Sequence, residues 1–464
     1  MKNRSNSVTK KPNIVWIVLD CARFDRVSAH GYERSTTPYL DRMIATGLDY
    51  TQAYSAAIWS LPSYTTLLTG LYPRQHGVNS SQNFLPEQVN TLAQQLQQNN
   101  FATACFSNNA WLSPTFGIHR GFEHFNTTWY SAQKSLWRKA DFLFDKAWGW
   151  LRSEADKGAR RTNRKVLQWL RSKRGQPCFT FIAYVEPHAP HNLYPKTVWE
   201  LGKELSPTIK RGIRSSIWVE SLPARHQFSE ETLTEINLRY DVEMCYIDTQ
   251  VGLLIEQLKN EDLFDNTIFI ITADHGELLG EHQMLGHQFS VHEALRHVPL
   301  IIWAPAFWST QETIHDLVQT VDISNTLCHW LNIPWQGTEF THRLPERNTS
   351  GTRSFTVTDY PEPYMEAVRR RYPQVDLSSI EVGLSCISDQ QFKVVKTSTN
   401  HWSGFDLATD PGEKLPFPVQ QHERCKELQI SLEQWLERMP VMKNQQVEIP
   451  EALVAHLKAL GYMG

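Results

Sequence analysis

The sequence predicts an α/β fold with a mainly parallel central sheet and helices on both faces. Nearly continuous apolar runs occupy 13–19 (Asn-Ile-Val-Trp-Ile-Val-Leu), 178–185, 267–272 and 298–303. A run that is apolar at successive positions suits a strand covered on both faces, as in a parallel sheet. Between the runs, 92–98 and 240–258 carry apolar residues at the three- and four-residue spacing of an amphipathic helix. Strands alternating with helices make a doubly wound domain, whose ligand sites form beyond the carboxyl ends of the strands. Three of the runs end in polar clusters: Asp20, Glu186-Pro187-His188, and Asp274-His275.

Composition narrows the functional class. Hydrophobic residues are 41% of the 464 and charged residues 20%, enough for a large core and too apolar for general disorder. A formal net charge of −3 argues against nucleic acid held by bulk electrostatics. No apolar run has the length of a membrane span. The basic start, residues 1–12, has no apolar stretch behind it, so a flexible tail is expected and no signal peptide. The 7 cysteines form no CxxC pair; free thiols in a reducing compartment, the cytoplasm, are expected. Oligomeric state leaves no readable mark.

Residues 13–345 are expected to form the catalytic domain. Within it, 130–174 places Trp137, Trp148, Trp150 and Trp169 among many Lys and Arg, a helical insertion. It reads either as a lid over an anionic substrate or, the favoured reading, as surface helices that bury their Trp side. Residues 346–464 read as a smaller α+β unit, with strands at 354–358, 383–387 and 392–397 and a helix near 422–438.

Asp20 and Asp274-His275, at two strand ends, suggest a divalent metal site. Carboxylates alone suit calcium or magnesium; an imidazole shifts the preference toward manganese or zinc. Ser60 precedes a short helical pattern in Trp59-Ser60-Leu61-Pro62-Ser63. It reads as an ordinary helix cap or as a nucleophile beside a helix N-terminus that attracts an anion. His76 reads as structural, and Asn108 or Asn109 as a substrate contact or, the favoured reading, a turn residue. Arg23 and Asp25 read as a local pair, and His282 and His292 as solvated.

Taken together, these segments resemble the sulfatase family of the alkaline phosphatase superfamily. Ser60-Leu61-Pro62-Ser63 and Leu67-Leu68-Thr69-Gly70 are similar to that family's Cys/Ser-Xaa-Pro-Ser-Arg and Leu-Leu-Thr-Gly segments. Asp274-His275-Gly276-Glu277 looks like its second metal motif, and Tyr240-Asp241 like a helix start. Phe405-Asp406-Leu407 through Asp410-Pro411-Gly412-Glu413 and the ending Leu460-Gly461-Tyr462 are similar to C-terminal segments of relatives. The resemblance runs from about residue 12 to the C-terminus and implies an alkaline-phosphatase-like domain. It also implies one divalent ion on Asp20, Asp274, His275 and Ser60, a covalent intermediate on Ser60, and substrate contact by His188 and His287.

Three departures shape the expectation. Tyr64 stands where the nucleophile motif has Arg, which speaks against formylglycine at Ser60 and for an unmodified serine. Cys21 replaces a second Asp; a thiolate ligand would favour zinc, and a buried inert thiol is the favoured reading. His275 replaces the Asn of calcium sulfatases, and the Asp-His form resembles phosphonate monoester hydrolases and phospho-group transferases, so Mn2+ or Zn2+ is favoured over Ca2+. The expected function is hydrolysis of a small-molecule sulfate ester. The alternatives are a phosphodiesterase, phosphonate hydrolase or phospho-group transferase, and a metal-binding homologue without catalysis.

Overall fold

Asn13–Leu19 forms the strand β1, placed in the middle of an eight-stranded sheet. This computed structural model describes residues 11–127, 156–191 and 227–457, apart from 306, 308–310, 349–352, 361–368, 370–376, 379, 444, 452, 455 and 456. After β1 come the helix α1 (Pro38–Ile44), β2 (Leu48–Tyr50), β3 (Ala53–Tyr54), α2 (Ser60–Thr69), α3 (Pro73–His76) and α4 (Leu92–Gln98). Then follow β4 (Ala102–Ser107), β5 (His124–Thr127), α5 (Ala159–Ser172), β6 (Cys178–Tyr184), α6 (Glu230–Asn260) and β7 (Thr267–Thr272). Next are β8 (Leu278–Leu279), β9 (Leu285–Gly286), α7 (Glu293–Arg296), β10 (Leu300–Trp303), β11 (Glu312–Ile314), β12 (Val318–Gln319) and α8 (Asp322–Trp330). The last described elements are β13 (Thr356–Tyr360), β14 (Leu384–Ser388), β15 (Phe392–Thr397), β16 (Trp402–Asp406) and α9 (Glu423–Arg438).

The large sheet has the order β11-β2-β10-β7-β1-β6-β4-β5. Only β10 runs against the rest, pairing antiparallel with both β7 and β2. The apolar run at 298–303 therefore yields a shorter strand than expected: Pro299 has no N–H for the ladder, and Val298 N donates to Ala53 O at 3.0 Å instead.

Alternation along β1 divides the core into two layers. Ile14, Trp16 and Val18 pack with Leu61 and Leu67 of α2, Leu92 and Leu96 of α4, and Leu327 of α8. Val15, Ile17 and Leu19 pack with Leu40 of α1, Val166 and Leu170 of α5, and Val251 and Leu254 of α6. A strand apolar on both faces thus becomes the centre of a helix–sheet–helix sandwich.

The helix expected at 240–258 spans Glu230–Asn260. Its first turns carry only Leu233, Ile236 and Leu238 among polar residues, a sparser pattern than the stretch after Tyr240, but Ser229 caps it by accepting from Thr232 N, with Glu230 and Glu231 in the first turn. Beyond residue 355, β13-β14-β15-β16 make an antiparallel sheet covered by α9. Its fourth strand, Trp402–Asp406, is not among the strands expected from sequence, because Gly404 interrupts the apolar pattern there.

On α5, Trp169 is buried and meets the Phe106 ring at 6.2 Å. Trp137, Trp148, Trp150, residues 192–226 and Leu460-Gly461-Tyr462 lie outside the described residues. All of the cysteines are buried, and they form no disulfide with one another. Among the described residues no helix is long and apolar enough to cross a membrane.

Candidate active site

Parallel register carries the polar strand ends to one edge of the sheet. Leu19 pairs with Tyr184, Val18 with Thr272, and Ser107 with Ala183. The residues just beyond those pairs are Asp20, Glu186, Asp274 and Asn109, and each is fully buried. Asp20 N donates to Tyr184 O at 2.9 Å, which extends the ladder one step past β1.

The helix α2 is tied to the end of β7 by hydroxyls. Ser55 Oγ and Ser63 Oγ each donate to Asp274 O at 2.5 Å. This anchoring sets Ser60 in the first turn of α2 above the strand ends. The N-cap position belongs to Trp59, not to Ser60. Ser60 Oγ lies 3.4 Å from His275 Nε2 and accepts from Asn109 Nδ2 at 3.3 Å. Tyr64, one turn on, is fully buried in the apolar layer and meets the Phe181 ring edge-on at 6.3 Å.

Asp20, Ser60, Asp274 and His275 converge. Asp274 Oδ2 accepts no hydrogen bond and lies 3.3 Å from His275 Nε2, while Asp20 Oδ1 lies 3.9 Å from the same nitrogen. His275 Nδ1 is 2.8 Å from Gly276 O. It donates there, which leaves the Nε2 lone pair facing the carboxylates, the arrangement that orients a metal-binding imidazole. Burial first, and Asp274 second, push the Asp20 carboxyl up to about 7. Burial likewise pushes Asp274 up to about 7 and lowers His275 to about 4. Two dry carboxylates, a neutral imidazole and a hydroxyl form a donor set that a divalent cation fits, because the cation offsets the desolvation of the charges.

His188 and His287 stand on the other side of His275. The His287 ring centroid is 4.5 Å from that of His275 and 5.0 Å from that of His188. His287 Nδ1 lies 3.4 Å from Glu277 Oε1. Burial acts to lower the His287 pKa, but Glu277, Asp20 and Asp274 outweigh it and raise it. Burial, then His287, hold His188 well below the ordinary histidine value. The His188 loop is clamped by Lys157, whose Nζ donates to His188 O, to Glu186 O at 2.9 Å and to Glu243 Oε1 at 3.1 Å.

The six residues singled out from sequence therefore lie together. Sequence reading favoured a turn residue at Asn109, which also donates to Asp20 Oδ2; its signal was its place two residues beyond a strand. It passed over Glu277, although Glu277 follows directly on Asp274-His275-Gly276. Arg23 and Asp25 do pair, at 2.6 Å. His76 is buried between Thr66 Oγ1 and Val78 N. His282 and His292 stack at 3.9 Å, with His292 Nδ1 3.2 Å from Glu413.

The same fold is found in a phosphonate monoester hydrolase of Agrobacterium radiobacter, with a TM-score of 0.70 at 20% identity, over 92% of this chain and 95% of that one. Fold and family model together put the protein in the class of alkaline-phosphatase-like hydrolases acting on sulfuric or phosphoric esters. Within that class the family is defined by sequence: the Sulfatase family model matches residues 12–333, and the chain belongs to the sulfatase family. It is 21% identical over 429 residues to the uncharacterized sulfatase YidJ of Escherichia coli K12, covering 87% of this chain and 82% of that protein. It is also 21% identical to an N-acetylglucosamine-6-O-sulfatase of Bacteroides thetaiotaomicron, over 94% of this chain and 89% of the relative.

Proposed function

We propose that the protein hydrolyses a sulfate ester of a small molecule through a covalent intermediate on an unmodified Ser60. The observation that carries this reading is the placement of Ser60 Oγ 3.4 Å from His275 Nε2, inside the cluster of Asp20 and Asp274. A serine serving only as a helix cap would face its own backbone.

A divalent ion, of manganese or zinc type, held by Asp20, Asp274, His275 and Ser60 would supply positive charge to the nucleophile and the ester. Asn109 orients Ser60 Oγ. That oxygen loses its proton to solvent and forms a bond to sulfur as the bond from sulfur to the ester oxygen breaks. His188 and His287 face the remaining oxygens of the anion, and one of them, protonated, gives the leaving alcohol its proton. Water then attacks sulfur, the Ser60–sulfur bond breaks, sulfate leaves, and the two protons of the water restore the Ser60 hydroxyl and the histidine. The unpaired thiols fit a cytoplasmic location.

A second reading, hydrolysis of phosphodiesters or phosphonates, is favoured by Tyr64. Buried against Phe181, it offers no cation where the formylglycine motif carries Arg. The deciding experiment compares an aryl sulfate with the matching aryl phosphodiester on metal-reconstituted protein, with Ser60→Ala as control. Faster sulfate turnover, abolished in the control, and an unmodified mass for the Ser60 peptide are expected. Faster diester turnover, equally abolished, would replace the first reading by the second. Turnover unchanged in Ser60→Ala would remove both.

A further inference from the structure

We propose that Cys21, His188, Glu277 and His287 form a second cation site, of zinc type, beside the one built on Asp20, Asp274 and His275. The four side chains are buried, and one donor atom from each lies within 4.8 Å of all the others. Cys21 Sγ is 3.9 Å from His287 Nδ1, which is 3.4 Å from Glu277 Oε1. A four-coordinate zinc ion with bonds of about 2.0–2.3 Å sets its donors roughly 3.3–3.8 Å apart. The 3.4 and 3.9 Å spacings lie at or near that range, and the others, at most 4.8 Å, would contract by up to about 1 Å as the ion binds.

The donor chemistry is selective. One sulfur, two imidazoles and one carboxylate suit zinc, and a thiolate discriminates against calcium, magnesium and manganese. The supporting contacts point the donors inward. Cys21 takes a left-handed backbone, φ 63°, uncommon for a residue with a side chain. It is held there from both sides: Cys21 N donates to Asp274 Oδ1 at 3.2 Å, and Tyr240 Oη donates to Cys21 O at 2.8 Å. His188 Nδ1 is engaged with Ala189 O, which turns Nε2 toward the cluster. Such outer contacts orient ligating imidazoles in metal sites.

This inference deepens the ester-hydrolysis reading and takes its site from it. In the loaded protein His188 and His287 would be ligands, so the contact with the substrate oxygens and the proton for the leaving alcohol, given above to the free imidazoles, would come from the ion and the solvent around it.

The test is metal content together with a cobalt spectrum. Protein reconstituted with zinc and freed of excess should retain a second equivalent per chain by elemental mass spectrometry. Cys21→Ala and Glu277→Gln should lose one equivalent, and Asp274→Asn should lose the other. Cobalt-loaded wild-type protein should show a sulfur-to-metal charge-transfer band in the near ultraviolet, absent in Cys21→Ala; if that variant fails to fold, the wild-type band and stoichiometry decide. A single equivalent, with or without the band, overturns the proposal; a band with one equivalent assigns Cys21 to the first site. The measurement needs no turnover, so a second equivalent in a protein inactive on esters would keep this site and sink the hydrolase reading. One equivalent in an active enzyme would do the reverse.

Discussion

Asn109 Nδ2 donates to Ser60 Oγ at 3.3 Å. One residue lies beyond the end of β4 and the other in the first turn of α2, so the Ser60 hydroxyl is aimed by a strand it does not adjoin in sequence. Asn109 is itself fixed: its Oδ1 accepts from Trp111 N at 2.7 Å, and its backbone N donates to Ser107 Oγ at 2.9 Å.

Asn109→Ala should therefore lower kcat by about 10- to 100-fold, the usual effect of a misplaced reacting group, with a smaller change in KM. Steady-state kinetics check this. An equal loss expressed wholly in KM would show that Asn109 holds substrate instead of positioning Ser60.

A buried ion network fastens the C-terminal sheet to the loop after His287. Lys393 Nζ, on β15, donates to Val291 O at 2.5 Å and pairs with Glu413 at 2.7 Å and Glu293 at 3.1 Å. Lys393→Met should destabilise the protein by about 3–5 kcal/mol, since it strips the buried Glu413 of its lysine partner. Adding Glu413→Gln should recover part of the loss. Chemical denaturation of the two variants measures both, and a double variant no better than the single would refute the pairing.

Gly276 is required by close approach. A Cβ there would lie 2.0 Å from Ala294 O, a backbone atom. Gly276→Ala must therefore shift the strand end that carries Asp274 and His275. The cost should be roughly 1–3 kcal/mol, as for other overpacked sites, accompanied by weaker metal retention. A thermal melt and a metal titration of the variant are the checks; unchanged metal affinity would show that the shift is absorbed on the α7 side.

His76 should make the fold acid-sensitive. It accepts from Val78 N at Nδ1, at 3.0 Å, and burial pushes its pKa from 6.5 down to about 3. Between those values the unfolded chain binds the proton and the folded one does not, so stability falls as pH drops from 6.5 toward 3. The full effect is on the order of 4 kcal/mol. His76→Asn keeps an acceptor for Val78 and should flatten this part of the curve of melting temperature against pH. Parallel curves for the two proteins would exclude His76 as the source.

Local pattern determined much of this protein. Apolar runs at 13–19 and 267–272 sit at the strands themselves, because a strand covered on both faces must be apolar at successive positions. The strand-end placement of Asp20 and Asp274-His275 was legible for the same reason: the run stops where the polar residue begins. The first turns of α6 were not, since their three apolar residues are scattered among polar ones and give a weak periodic signal. Only the tertiary structure decided which polar residues meet. Asn109 reaches Ser60 across 49 positions, and Cys21 reaches His287 across 266. Those distances are closed by sheet register and by the hydroxyl ties of α2 to Asp274. Such contacts join parts of the chain that share no local periodicity, so no short stretch of sequence encodes them.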